Sequence, residues 1–273
     1  MKTQHEKSQE FAALHEGGQT FVIPNPWDCG SARLLQHLGF KALASTGAGF
    51  AFSQGRSDLS VNPREMLPHL AALACATELP LSADLQNGFG DSPQEAAQTI
   101  LEAAATGIVG GSIEDASGDP AQPIYELGLA AARIEAAAEA ARSLGFRFML
   151  TARAENYLYG RADLADTIRR LQAYQEAGAD VLFAPGLQSR EDIRAVLQSV
   201  DRPLNVIMGF QGAQLSLADL QELGVARVSL GGSLARAAYG AMLRAAQEVL
   251  TSGTFDYAGA AMPAREINSI FAG

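Results

Sequence analysis

Short apolar runs alternate along the chain with longer Ala- and Leu-rich segments in which apolar positions recur with the period of a helix. This alternation predicts repeated strand–helix units around a parallel sheet. The predicted strands are Phe21–Trp27, Lys41–Thr46, Leu79–Leu85, Gly110–Asp115, Arg147–Glu155, Asp180–Gly186, Pro203–Met208 and Arg227–Gly232. The predicted helices are Ser31–Leu38, Pro63–Ala76, Ser92–Thr106, Glu126–Leu144, Asp163–Ala177, Ser189–Ser199, Ser216–Leu223 and Ser233–Leu250. Eight such units predict an α/β fold of the (β/α)8 TIM-barrel type.

The ends of these elements carry start and stop signals. Several helices begin with Ser, Asp or Pro, and a glycine follows the helices that end near Leu38, Ala177 and Leu223. No linker-like segment divides the chain, so residues 1–273 are predicted to form a single barrel domain. Residues 251–273 are too apolar for a free tail and are predicted to fold back or to pack on a neighbouring subunit, as a C-terminal oligomerisation segment.

The amino-acid composition limits the kinds of molecule that the protein is expected to bind. The chain has 30 acidic and 20 basic residues and a net charge of −10, which argues against nucleic acid and anionic membranes. No segment approaches the roughly 18 apolar residues of a membrane span, and the N-terminus lacks a signal-peptide pattern, so a cytoplasmic protein is expected. Cys29 and Cys75 lie among small and apolar residues and are predicted to be buried free thiols.

Charged side chains cluster where predicted strands end. The run Leu81-Ser-Ala-Asp-Leu-Gln-Asn-Gly-Phe-Gly90 places Asp84 at a strand end, and later strands end in Glu114 with Asp115 and in Arg153 with Glu155. Because strand C-termini meet at one face of a barrel, these groups should converge with Asn205 and the loop 47–58. An oxygen-rich cluster without His or Cys favours Mg²⁺ or Mn²⁺ over zinc.

Structural roles compete with these functional ones. Asp115 is equally well explained as a turn or cap residue, whereas Asp84 and Glu114 are costly as purely structural buried carboxylates. Arg153 could either neutralise the acidic cluster or bind a substrate carboxylate. The glycine-rich segments Ser45–Gly49 and Ser229–Ser233 could bind an anion through backbone N–H groups or form tight turns without a ligand.

Six segments between about Phe21 and Tyr239 form a recognisable set. They are Pro26-Trp-Asp-Cys-Gly-Ser-Ala-Arg33, Ser45-Thr-Gly-Ala-Gly49, Ser82-Ala-Asp-Leu-Gln-Asn-Gly-Phe-Gly90, Ser112-Ile-Glu-Asp115, Thr151-Ala-Arg153 and Arg227-Val-Ser-Leu-Gly-Gly-Ser-Leu-Ala-Arg236. An Asp-x-x-x-Gly-[Phe/Tyr]-Gly turn followed some two dozen residues later by Glu-Asp is specific in combination. In these segments the sequence resembles the isocitrate lyase and phosphoenolpyruvate mutase superfamily.

The resemblance implies an active-site Mg²⁺ and small 2-oxo or 2-hydroxy carboxylate substrates that pass through an enolate. It implies Asp84 as the direct metal ligand, with Asp58, Gln86 and Glu114 reaching the ion through water, and Asp58, Glu114 and Arg153 as catalytic residues. It further implies Thr46, Gly47, Ala48 and Arg153 as substrate-binding residues, to which the position of Asn205 adds a fifth. Homo-oligomers, as tetramers or dimers of dimers with an exchanged C-terminal helix, are also implied.

Departures from the family pattern suggest the subfamily. Gln86 replaces an acidic residue that the family often has, and the Lys-Lys-Cys-Gly-His segment of isocitrate and methylisocitrate lyases is absent. Ala116 stands where phosphoenolpyruvate mutases have lysine. The expected activity is therefore Mg²⁺-dependent cleavage of a C–C bond, of the decarboxylase or retro-aldol/Claisen type. The alternatives are a phosphonopyruvate hydrolase or mutase acting on a P–C bond, and a non-catalytic barrel that binds 2-oxo acids.

Overall fold

Eight parallel strands form the centre of the protein in a computed structural model that describes residues 2–210 and 215–272. The strands are β1 (Phe21–Ile23), β2 (Leu43–Ala44), β3 (Leu81–Asp84), β4 (Gly110–Glu114), β5 (Met149–Arg153), β6 (Val181–Phe183), β7 (Leu204–Ile207) and β8 (Arg227–Ser229). Each lies within its predicted run but is shorter.

The strands are ordered β1-β8-β7-β6-β5-β4-β3-β2, as in a TIM barrel. The edge between β1 and β2 is bridged by a hydrogen bond from the Ala44 N–H to the Pro24 carbonyl at 3.1 Å. The barrel is therefore nearly closed, and the predicted (β/α)8 fold is confirmed.

Helices alternate with the strands and cover the outside of the barrel. They are α1 (Gln4–Glu16), α2 (Cys29–His37), α3 (Gly47–Ser53), α4 (Pro63–Ala76), α5 (Pro93–Ala104), α6 (Leu127–Ser143), α7 (Leu164–Glu176), α8 (Arg190–Leu197), α9 (Leu217–Leu223), α10 (Ser233–Ser252) and α11 (Ala264–Ala272). The glycines predicted to end helices adopt the left-handed conformation, with φ of 88° at Gly39, 105° at Gly178 and 91° at Gly224.

Helix α1, which the sequence pattern did not predict, closes the N-terminal end of the barrel. Its Phe11 is fully buried against residues from the starts of the strands, including Val109, Met149 and Val181. The signal for this helix is a capping box in which Thr3 and Glu6 bond reciprocally. Its hydrophobic pattern is weak because three of its buried side chains, Lys7, Ser8 and His15, are polar.

The prediction that both cysteines are buried is wrong, since Cys29 and Cys75 are exposed free thiols. Cys75 lies in the last turn of α4, directly after the buried Leu73 and Ala74. Each residue of a helix is rotated by about 100° from the previous one, so Cys75 points away from the core. Apolar neighbours in sequence were therefore a poor guide to its burial.

The C-terminal part of the chain leaves the barrel surface. Helix α10 exposes large apolar side chains, with Leu243 63% and Leu250 82% exposed, and a short 3₁₀ turn follows it at Asp256–Ala260. Helix α11 returns to α2, where the Arg33 guanidinium lies over the Phe271 ring. The role of residues 251–273 in oligomerisation stays a prediction. Among the described helices, none combines the length and apolarity that crossing a membrane requires.

Replacing Phe11 with alanine should remove the main contact between α1 and the barrel. Because Phe11 is fully buried, we expect the free energy of unfolding to fall by about 3–5 kcal/mol. Urea denaturation followed by circular dichroism measures this loss. Leu38→Ala is the matched control, since Leu38 is 72% exposed and its loss should have little effect. Equal stability of Phe11→Ala and the wild type would show that α1 is not part of the cooperative fold.

Candidate active site

A cavity of about 800 Å³ opens at the end of the barrel where the strands terminate. It brings together most of the predicted site residues, which come from different strands and loops: Thr46, Ala48, Asp58, Asp84, Gln86, Glu114, Arg153 and Asn205. Gly47 adjoins the cavity through Asp84, whose carboxylate accepts its N–H at 3.0 Å. The convergence expected of strand ends is therefore present, while the role of each residue stays a prediction.

The Asp84 carboxylate is fixed by groups on both sides. Oδ2 accepts the Gly47 N–H, and Oδ1 lies 3.2 Å from an Arg153 guanidinium nitrogen. The backbone N–H of Asp84 donates to the Ser45 hydroxyl at 2.9 Å, which ties the end of β3 to the loop after β2. About a quarter of the side chain remains exposed to the cavity. Asp84 is thus held firmly and still accessible to a ligand.

Arg153 sits among three carboxylates. Its Nη1 lies 3.2 Å from Asp84 and 3.0 Å from Glu114, and its Nη2 lies 2.8 Å from Glu155. Burial alone would lower the pKa of Arg153, but Glu114, Glu155 and Asp84 attract its charge and raise the pKa above its ordinary value. In this structure Arg153 therefore neutralises part of the acidic cluster through its three ion pairs.

Glu114 has a strongly altered proton affinity. It is 6% exposed, and this burial raises its pKa to about 8; Arg153 opposes the rise, whereas Glu155 and Asp84 add to it. Near neutral pH Glu114 can therefore carry a proton that an ordinary glutamate would have lost. Carboxyl groups tuned in this way are typical of general acids and bases.

Asp115 does not line the cavity but supports one of its walls. Its Oδ2 accepts from Tyr174 at 2.6 Å and pairs with Arg170 at 3.0 Å, while its Oδ1 accepts the Glu155 N–H at 2.8 Å. This buried network fixes the chain just beyond β5, where Glu155 meets Arg153. Asp115 thus has a structural role, as the turn or cap alternative proposed, but it acts through a buried network that also includes Tyr174 and Arg170.

The glycine-rich segment after β8 uses its amides internally. The N–H groups of Leu230 and Gly231 both donate to the side-chain oxygen of Asn25 at 2.8 Å. These two amides therefore fit the tight-turn alternative for this segment rather than anion binding. In the segment after β2, Thr46 is the N-cap of α3, and its Oγ1 accepts the Gly49 N–H at 3.1 Å.

The cavity floor contains a residue that the sequence pattern did not assign to the site. Arg227 is buried at the start of β8 and donates from Nε to Asn205 Oδ1 at 2.9 Å. The amide nitrogen of Asn205 donates in turn to Ser229 at 2.9 Å. Asn205 therefore positions Arg227 and has its own amide group occupied by protein partners. Its charge at the start of the strand Arg-Val-Ser was a signal in the sequence, but that signal alone does not place Arg227 in the cavity.

The donor set at the mouth fits a magnesium ion. Asp84, Glu114, Asp58 and Gln86 all line the cavity and carry side-chain oxygen atoms, and Mg²⁺ prefers oxygen ligands. In residues 2–210 and 215–272 no three His, Cys, Asp or Glu side chains are grouped closely enough to complete a metal site alone. Mg²⁺ commonly binds through one or two carboxylates and keeps several waters, which agrees with one direct ligand and several water-mediated ones.

Gln86, at the same end of the cavity, has an unusual backbone conformation and, among the described residues, an unpartnered side-chain nitrogen. Its backbone φ is 51°, and its buried Nε2 has no hydrogen-bond partner within the described part of the chain. A Cβ atom at position 47 would lie 3.5 Å from this nitrogen, an ordinary contact distance, so the amide lies against Gly47. The amide is therefore a free polar group directed at the loop that carries Thr46 and Ala48.

The chain is similar in sequence to a family of known enzymes. The model of the family described as phosphoenolpyruvate phosphomutase matches residues 11–250. The 2-methylisocitrate lyase of Bacillus subtilis strain 168 is 31% identical over 212 residues, which cover 74% of this chain and 67% of that protein. The oxaloacetate decarboxylase of Paraburkholderia xenovorans LB400 is 31% identical over 208 residues, covering 72% and 66%.

Solved structures agree with these sequence matches. A candidate lyase/mutase of Burkholderia cenocepacia J2315 is 56% identical with a TM-score of 0.97, covering 99% of this chain and 97% of that one. A phosphonopyruvate hydrolase solved with oxalate and Mg²⁺ is 25% identical with a TM-score of 0.87, covering 99% and 95%. The barrel and its C-terminal extension thus recur together in these proteins.

The altered pKa of Glu114 predicts how metal affinity depends on pH. Below a pKa of about 8 a proton on Glu114 competes with a cation, so the Mg²⁺ affinity should rise with pH and level off above 8. One displaced proton corresponds to about a tenfold rise per pH unit below the pKa. Isothermal titration calorimetry between pH 6 and about 9, in buffers of different ionisation enthalpy, measures both affinity and proton release.

The variants Glu114→Gln and Glu139→Gln distinguish this effect from general electrostatics. Glu139 is an exposed carboxylate on α6, and its loss should leave the pH dependence unchanged. Glu114→Gln should remove the dependence over the same range. An identical pH profile in Glu114→Gln and the wild type would contradict the assignment.

Proposed function

Because the chain belongs to the phosphoenolpyruvate phosphomutase family, within the isocitrate lyase and phosphoenolpyruvate mutase superfamily, we propose that it is a magnesium-dependent carbon–carbon lyase. The substrate is a small 2-oxo or 2-hydroxy di- or tricarboxylate that is cleaved through an enolate. The observation that carries this proposal is the cluster of Asp84, Glu114, Glu155 and Arg153 at the mouth of the cavity. Relatives named as 2-methylisocitrate lyase and oxaloacetate decarboxylase support it.

Charge balance explains why such a site needs a cation. Three carboxylates with one guanidinium leave the mouth negative, and the whole protein carries −10, so a substrate with two carboxylates would be repelled. Asp84 would hold Mg²⁺ directly, and Asp58, Gln86 and Glu114 would hold its waters. When bound, Mg²⁺ supplies Lewis-acid stabilisation of the negative charge that develops on the substrate oxygen.

The protein groups around this position have separate tasks. The segment Thr46–Ala48 begins α3 beside Asp84 and would orient the substrate carboxylate and oxo group. Arg153 keeps the carboxylates in place and fixes the orientation of Glu155. Glu114, whose pKa burial raises to about 8, would lose its proton when the cation binds and would then orient a water that supplies the proton the enolate needs after bond cleavage.

The phosphorus–carbon alternative has one supporting and one opposing feature. The structural likeness to a phosphonopyruvate hydrolase favours it, whereas Ala116 in place of the mutase lysine opposes it. A non-catalytic barrel that binds 2-oxo acids is the alternative from a different class. Each of these gives a different result with the same set of compounds.

The test is a product-release assay with oxaloacetate, 2-methylisocitrate, isocitrate, 4-hydroxy-2-oxoglutarate and phosphonopyruvate, in Mg²⁺ or in EDTA. Pyruvate or glyoxylate released from one of the four compounds without phosphorus, in Mg²⁺ but not in EDTA, is the expected result. Phosphate from phosphonopyruvate would identify the phosphorus–carbon enzyme instead. Binding of 2-oxo acids without turnover of any compound would favour the non-catalytic barrel.

The variant Asp84→Asn should lower kcat/KM by at least about a hundredfold, because metal-ion catalysis contributes several kcal/mol to transition-state stabilisation. It should also weaken Mg²⁺ binding measured by calorimetry, which separates metal loss from other damage. Asp201→Asn removes an equal charge from an exposed turn and serves as the control. Full activity of Asp84→Asn would contradict the metal mechanism.

A further inference from the structure

The floor of the cavity holds a guanidinium without an anionic partner. Arg227 is 5% exposed and lines the same cavity as Asp84 and Arg153. Besides Asn205, its Nη2 donates to Thr151 Oγ1 at 2.9 Å, and its Nη1 lies 3.3 Å from Nε2 of His15 on α1. Within the described ranges no carboxylate forms an ion pair with Arg227; the salt bridges of the barrel interior involve Arg153 and Arg170.

The neighbours of Arg227 are electrically neutral. Nδ1 of His15 lies 2.8 Å from the Phe11 carbonyl and must carry the ring proton, so Nε2 is left as an acceptor. Burial lowers the pKa of His15 to about 3, with Arg227 adding to the decrease, so the ring is uncharged at neutral pH. Asn205 and Thr151 cannot ionise. The positive charge on the floor is therefore solvated by dipoles but not neutralised.

Arg227 combines two features that the other buried arginines do not share. Arg153 has three carboxylate partners and Arg170 has Asp115 and Asp166. Arg133 also lacks an ion pair among the described residues, but it donates to the Asn87 and Gly90 carbonyls and does not line the cavity. A buried charge without a counter-ion is costly, and burial lowers the pKa of Arg227 to about 9 with no acidic group to offset it. A guanidinium has five N–H donors, and three contacts leave two of them for a ligand.

Small side chains, several of them polar, line the cavity between the mouth and the floor. Ser82, Ser112 and Ser229 line the cavity on β3, β4 and β8. Small residues at these interior positions keep the barrel centre open, where many TIM barrels are filled by branched side chains. A ligand that enters at the mouth can therefore extend towards Arg227.

We propose that Arg227 forms a second anion subsite, which binds the distal carboxylate of the substrate while the first carboxylate lies at the mouth. The identification of the ligand as substrate depends on the proposed function, and it assigns the second carboxylate of that substrate to a particular residue. Arg227 then determines specificity, and Asn205 and His15 are positioning residues that hold its guanidinium.

The test compares 2-oxoglutarate with 2-oxovalerate, which have the same five-carbon 2-oxo acid chain with and without the distal carboxylate. Calorimetric titration in Mg²⁺ should show that the wild type binds 2-oxoglutarate at least tenfold more tightly. In Arg227→Met the affinity for 2-oxoglutarate should fall by about ten- to a hundredfold, as expected for loss of a charged hydrogen-bonding partner. The affinity for 2-oxovalerate should stay within about threefold.

Two further variants separate recognition from structure. Arg147→Met removes the same charge from an exposed arginine that pairs with Glu16, and it should leave both affinities unchanged. Arg227→Lys keeps the charge but loses the planar fork, so it should retain part of the preference for 2-oxoglutarate. If Arg227→Met does not fold, the wild-type preference and its reduction in Arg227→Lys decide the question.

Three results would overturn the proposal. The wild type could bind both acids equally; Arg227→Met could weaken both to the same extent, as a structural role requires; or formate alone could stabilise the wild type but not Arg227→Met without any preference for 2-oxoglutarate. The last result would assign the subsite to a free anion. None of these measurements needs turnover, so failure of the lyase assay and failure of this inference are separate outcomes.

Discussion

The ion pairs of Arg153 are the constraint on which the site depends. Asp84 ends β3, Glu114 ends β4, and Glu155 follows β5, so the barrel places three carboxylates close together. Two like charges at 4 Å repel by about 4 kcal/mol at the effective dielectric of a protein surface. The guanidinium of Arg153 offsets this repulsion at the centre of the cluster, and Asp115 holds the chain that delivers Glu155.

One guanidinium cannot balance three carboxylates, and the imbalance connects proton affinity with metal affinity. A proton on Glu114 and a divalent cation at Asp84 are alternative ways to reduce the same excess of negative charge. Gln86, at a position where the family often has an acid, lessens that excess by one charge. The mouth is therefore negative and the floor positive, and the cavity between Asp84 and Arg227 is polarised along its length.

Local patterns in the sequence were sufficient for the strands, the glycine caps and the convergence of the strand-end charges. They were insufficient for α1, whose buried face includes the polar residues Lys7, Ser8 and His15, and for Cys75, whose exposure depends on its position around α4. Arg227 could not be recognised because its partners Asn205, Thr151 and His15 lie 22, 76 and 212 residues away. Those contacts exist only when the barrel is complete and α1 covers its N-terminal end.

The closure of the barrel by α1 has a kinetic consequence. With Phe11 and its buried neighbours filling the N-terminal end, the cavity opens to solvent at the mouth formed by the strand ends. If the substrate is cleaved into two products, both leave through the same mouth by which the substrate entered. The products are then released one after the other, and the product that leaves last competes with the next substrate molecule for the site.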